Sequence, residues 1–133
     1  MAEQLSPDYM LQLNTLEQQS QEIEQQFAVI LQQLQELETL KINLQSLEKS
    51  KEKEIFAGIG KGIFVRAKML EKNLLVDIGS KTFVKKNFSE VQEIIKKQQE
   101  ELEKIKEQIE DELNRLKEEA NEIMFKANKE VNN

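Results

Sequence analysis

Apolar residues recur along two long stretches of the chain at alternating steps of three and four. Between these stretches the spacing gives way to every-other-residue alternation. The first stretch carries Leu13, Leu16, Ile23, Phe27, Ile30, Leu34 and Leu37, with a polar miss at Ser20. This is the a/d seam of a heptad coiled coil. The register then jumps by three to Leu40, Leu44 and Leu47, a stammer that overwinds a coil locally without ending it. Ser6-Pro7-Asp8 reads as a helix start: Ser6 caps, Pro7 suits the first helical position, and Asp8 complements the positive helix end. No further Gly or Pro occurs until Gly58. One helix is therefore predicted over residues 7–53, roughly 70 Å long, with residues 1–5 frayed.

The second periodic stretch runs Val91, Ile95, Leu102, Ile105 and Ile109, with a polar miss at Gln98, then Leu113, Leu116, Ala120, Ile123 and Ala127. Ser89 fits a capping box with Gln92 reaching back, and Asn87 is an alternative cap. A second helix is predicted over 89–130. Outer-face pairs such as Glu100 with Lys104 and Glu122 with Lys126 suit an exposed helix.

Residues 55–86 hold all four glycines and alternate in the manner of strands. Ile55–Ala57 starts an extended run, and Gly58–Gly62 reads as a flexible turn. In the strand that follows, Ile63, Val65 and Ala67 share one face, with Phe64, Arg66 and Lys68 on the other. Leu74–Ile78 and Thr82–Lys86 form the next pair about a Gly79-Ser80-Lys81 turn. The fold class expected is α+β and mostly α: a long antiparallel two-helix coiled coil with two β-hairpins inserted between the helices. It is one domain over residues 1–133, with the insert at one end and both termini at the other.

Short strands with apolar side chains on both faces cannot cover themselves, so the insert is expected to assemble with partner chains. The alternative is a sheet folded over its own coil. At the terminal end, Leu5, Tyr9, Met10, Leu13 and Leu16 should face Ile123, Met124, Phe125 and Ala127. Seam packing uses Leu13, Leu16, Ile123 and Ala127 and leaves Met10, Met124 and Phe125 over. Methionine adapts to varied apolar surfaces, so these form either an interaction tip or a staple across a fraying end.

Charge is unevenly placed. Residues 1–54 carry a net −6, residues 55–88 a net +5 and residues 89–133 a net −5. Acidic arms around a basic middle argue against nucleic acid binding along the helices. With no His and no Cys, thiol chemistry and the usual zinc ligands are excluded. Runs such as Glu110-Asp111-Glu112 point apart around a helix, so neither catalysis nor a metal or cofactor site is expected. Gly58–Gly62 lacks the Walker spacing of a phosphate-binding loop. No stretch has the length and apolarity of a membrane span, and the start has no signal-peptide pattern. A cytoplasmic protein is expected.

Ile59-Gly60-Lys61-Gly62-Ile63-Phe64-Val65-Arg66-Ala67-Lys68, with Leu75–Gly79 and Ser80–Lys86 after it, resembles the alpha class of prefoldin subunits, of the archaeal alpha and eukaryotic subunit 5 type. The likeness spans the whole chain, and the double hairpin marks the alpha class. The family often has Pro where Gly58 stands and Gly where Lys81 stands. The resemblance implies a hexamer of two alpha-class and four beta-class subunits on a hairpin-built platform. It also implies that unfolded client polypeptides are held at coil tips without ATP and passed to a group II chaperonin. Carried onto this chain, Ile63, Phe64, Val65, Leu74, Leu75, Val76, Ile78, Phe83 and Val84 would be assembly residues. Met10, Leu13, Leu16, Ile123, Met124 and Phe125 would bind clients. The competing reading is a coiled-coil spacer that docks partners through its basic hairpins.

Overall fold

The computed structural model describes residues 6–50 and 54–132. Two long helices, α1 (Pro7–Lys49) and α2 (Phe88–Asn132), enclose in sequence the strands β1 (Glu54–Gly60), β2 (Ile63–Lys68), β3 (Leu74–Gly79) and β4 (Thr82–Lys86). The expected fold is present. The chain divides into two compact units.

The first unit pairs α1 as far as Leu34 with α2 from Glu101 onward. On α1 the sheltered side chains are Tyr9, Leu13, Leu16, Ser20, Ile23, Phe27, Ile30 and Leu34. On α2 the matching stripe steps from Leu102 through Lys106, Ile109, Leu113, Leu116, Ala120 and Ile123 to Ala127. Leu116 and Ala127 are the most deeply covered, at 2% and 1% exposure. The Tyr9 hydroxyl donates to Glu130 Oε1 at 2.8 Å, bringing the start of α1 beside the end of α2. Ser6 caps α1, accepting at Oγ from the Tyr9 N–H (3.4 Å).

The second unit spans Gln35–Glu100. Its core is Leu44, Phe88 and Ile95, with Leu37, Leu47, Met69, Leu74 and Val91 packed around them. Gln99 donates to Glu38 at 3.1 Å and Gln92 to Glu48 at 3.2 Å. Because one number rises as the other falls, the helices are antiparallel here.

The structure corrects the seam. No stammer follows Leu37: the three-four rhythm continues through Lys41 to Leu44, and Leu40 points out at 44% exposure. On α2 the seam takes Gln99 rather than Gln98, and Lys106 rather than Ile105. A lysine lays its aliphatic stem along apolar surface and keeps its ammonium in water, so an unbroken heptad accommodates it. Turning the helix to bury Leu40 or Ile105 would swing the following layers off the seam.

The helix boundaries shift as well. Asn87, not Ser89, is the cap of α2: its Oδ1 accepts the Glu90 N–H at 2.8 Å. Gln92 reaches across to Glu48 instead of back to the cap. Phe88 supplies the reason, because its ring belongs to the core and the helix must begin early enough to carry it there. On α1 the helix ends at Lys49, with the Ser50 N–H on the Leu47 carbonyl. The expected continuation over 51–53 and the expected fraying of 1–5 lie outside the described residues.

Each hairpin is an antiparallel pair. Phe56 faces Arg66 and Ala57 faces Val65 in the first, while Val76 faces Val84 and Asp77 faces Phe83 in the second. Gly58 and Gly60 belong to β1, with a bulge between them, so the turn is Lys61-Gly62 alone. Both turns have left-handed backbone at their two central residues: Lys61 and Gly62 (φ 50° and 78°), then Ser80 and Lys81 (51° and 61°). Such loops match the right-handed twist of hairpin strands. Asp77 Oδ1 accepts the Gly79 N–H at 2.8 Å and steadies the second bend. The two hairpins form separate two-stranded sheets, β1-β2 and β3-β4.

Candidate functional site

Two apolar surfaces stand out, one in each unit. On the hairpins Ile63, Phe64, Val65, Leu75, Ile78 and Phe83 are exposed. Leu74, Val76 and Val84 are half-buried within the chain, and Leu74 packs on the helical core. Strand alternation sorts them, since Leu74, Val76 and Val84 share the face turned inward while Leu75 and Phe83 look out.

Sequence reasoning left Phe56, Ile59 and Leu70 out of this surface, although all three are exposed, Leu70 at 94%. Phe56 stands opposite Arg66, whose guanidinium lies 5.9 Å from the ring centre, within cation–π range. The Phe64 ring lies over Gly58, where an added Cβ would meet it at 3.4 Å. The signal for Phe56 was the register itself: extending β1 through Gly58 puts Phe56 and Phe64 on one face.

Around these apolar groups two of the lysines have carboxylate partners within the chain. Lys85 pairs with Glu71 at 2.9 Å, tying the link between the hairpins to β4. Lys86 lies 3.8 Å from Glu90. An open cavity of about 730 Å³ lies where the link meets the helix ends, with Leu47, Met69 and Phe88 in its wall and Glu48, Lys72 and Asn73 beside them. Among the described residues no group of three or more His, Cys, Asp or Glu is placed to hold a metal ion. No helix among them is long and apolar enough to cross a membrane.

The second surface is at the terminal end of the coil. Met10, Met124 and Phe125 are exposed, Phe125 at 71%. Leu13, Leu16 and Ile123 are half-buried along the seam. Leu11 is a further exposed residue here that heptad reasoning passed over, and Leu5 lies outside the described residues. In heptad terms Met10 and Met124 both follow a d position. In an antiparallel pair such positions lie along the same side of the seam, while Leu11 and Phe125 turn away from it.

Two ionisable arrangements accompany the coil. The hydrogen bond to Glu130, with slight burial and the nearby Glu130 and Asp8 charges, raises the Tyr9 phenol above its ordinary range. Arg115 bridges Glu112 and Glu119 one turn to either side. Its hydrogen bonds hold the Glu112 carboxyl below the usual carboxylate range and raise its own pKa.

Comparison with known proteins agrees with this architecture. A family model described as "Prefoldin subunit" matches residues 16–133. A cryo-EM structure of filamentous PFD from Methanocaldococcus jannaschii is similar in fold, with a TM-score of 0.55 and 17% sequence identity, covering 90% of this chain and 95% of that one. Among curated proteins no sequence matches the chain.

Proposed function

This chain belongs to the prefoldin family, and from that premise we propose that it is an alpha-class subunit of a hexameric, ATP-independent holdase. In this reading the hairpins join it to beta-class partners. The terminal end of its coil holds unfolded polypeptides for delivery to a group II chaperonin in the cytoplasm. The observation that carries the client-binding part is the exposure of Met10, Met124 and Phe125 beside a seam that is otherwise packed. Each such contact is weak, but several arms acting on one unfolded chain add through effective concentration, so firm holding requires no deep pocket. The acidic arms would also oppose aggregation of loaded complexes.

Removing residues 1–12 and 122–133 tests this. Suppression of client aggregation should be lost while assembly through the hairpins persists. Full protection by the truncated protein would rule the reading out.

The scaffold alternative rests on the net +5 of residues 55–88. Reversing Lys68, Lys85 and Lys86 should then break partner binding, and tip truncation should leave it unchanged. Lys85 and Lys86 already have carboxylate neighbours in the chain, which leaves fewer free cations for a partner and favours the holdase. The mass of the assembly in solution, with and without a beta-class partner, distinguishes a closed hexamer from a filamentous assembly.

A further inference from the structure

The seam of the first unit weakens toward the chain termini. Tyr9 and Glu130 fall at d positions of their helices and are joined by a hydrogen bond. The sheltered positions next to them are Leu13, Leu16 and Ser20 on α1 and Ala120, Ile123 and Ala127 on α2. Half of these are serine or alanine, which carry little apolar surface. Little apolar area is covered for each turn of helix, so opening this end costs little.

The outermost layer among the described residues is joined by a polar contact. Where the heptad asks for a hydrophobic residue opposite Tyr9, the chain has the carboxylate of Glu130, and the phenol donates to it at 2.8 Å. The Ser6 cap fixes the turn that carries Tyr9, so the donor is held in place from the α1 side.

We propose that the Tyr9–Glu130 hydrogen bond is a clasp on the terminal end of the coil. It sets how often the end opens, and so how much of Leu13, Leu16 and Ile123 an unfolded polypeptide can reach. The inference rests on the holdase reading for its consequence, but the clasp itself is a property of this chain. When closed, the end offers Met10, Met124 and Phe125; when open, it offers the seam leucines as well. A carboxylate at position 130 keeps the end ready to part, where a leucine would seal it.

Two opposed substitutions in the full chain test this. Tyr9→Phe keeps the ring and removes the donor. Glu130→Leu removes the acceptor and completes the apolar seam. The readouts are amide hydrogen exchange over residues 8–20 and 120–130, and the dissociation constant for a reduced, carboxymethylated polypeptide that cannot refold. Tyr9→Phe should speed exchange there and tighten capture, each by about two- to fivefold, the range for exposed polar pairs. Glu130→Leu should slow exchange and weaken capture. Exchange that neither variant changes would overturn the clasp. Exchange that moves in opposite directions while capture stays fixed would overturn its control of capture. In that case, loss of capture on tip truncation preserves the holdase reading, and capture that survives truncation removes both.

Discussion

Lys81 adopts left-handed backbone at φ 61°, a conformation costing an L-residue roughly 1–2 kcal/mol and glycine almost nothing sterically. Lys81→Gly should therefore raise stability to chemical denaturation by about 0.5–1 kcal/mol, after allowing for the extra chain entropy glycine loses on folding. The cap of α2 gives a second residue-level test. Asn87→Ala should cost about 1 kcal/mol, while Ser89→Ala, inside the first turn, should change stability by less than about 0.5 kcal/mol. Both follow from the hydrogen bond at Asn87. A third concerns pH. Because Arg115 lowers the folded-state pKa of Glu112, their stabilisation is present above the unfolded carboxylate range. It fades as pH falls through the folded value. Wild type should melt slightly above Arg115→Gln at neutral pH, with the gap closing in acid; a gap that widens there would reverse the assignment. The bond is exposed, so the effect is small.

The elements were largely legible because their signals are strong. Two helices of this length, free of Gly and with Pro only at the first position of α1, leave few alternatives, and the glycines and β-branched runs mark the hairpins. The seam was less legible because hydropathy selects the nearest leucine or isoleucine. It chose Leu40 over Lys41 and Ile105 over Lys106, since nothing local tells a lysine stem lying on a seam from one in solvent. Periodicity alone, held without interruption from Leu13 to Leu44, would have given the right register. The consequence is measurable. Leu44→Ala should cost about 2–5 kcal/mol as a buried leucine, and Leu40→Ala less than about 0.5 kcal/mol. Comparable losses at both positions would restore the stammer. At the hairpins, alternation gave two faces without telling which one turns inward, so Leu74, Val76 and Val84 were grouped with the exposed residues; Gly58 and Gly60 were read as turn, which hid the length of β1 and with it Phe56. The exposed tip residues were readable as those left after the seam was filled. The Tyr9–Glu130 bond was not, because it depends on a register between residues far apart in sequence.

For the molecule as a whole, the exposed apolar groups on the hairpins and the net negative arms divide the labour: one region is suited to association and the other resists it. Phe64→Ser and Phe83→Ser should each weaken assembly with partner chains by about thirtyfold, the loss typical of an aromatic anchor. Helical circular dichroism should stay unchanged, because neither ring belongs to the core of the second unit. Assembly mass measured in solution decides this, and an undiminished complex would place the joining surface elsewhere.

The hairpins share no ladder with each other, so on the assembly reading proposed above each ribbon is open to a different neighbour. A bivalent unit adds neighbours until the rotation between successive contacts brings the last back to the first, or else without end. On that reading, ring closure or fibre growth would turn on the relative rotation of the two short ribbons joined by the link from Met69 to Asn73.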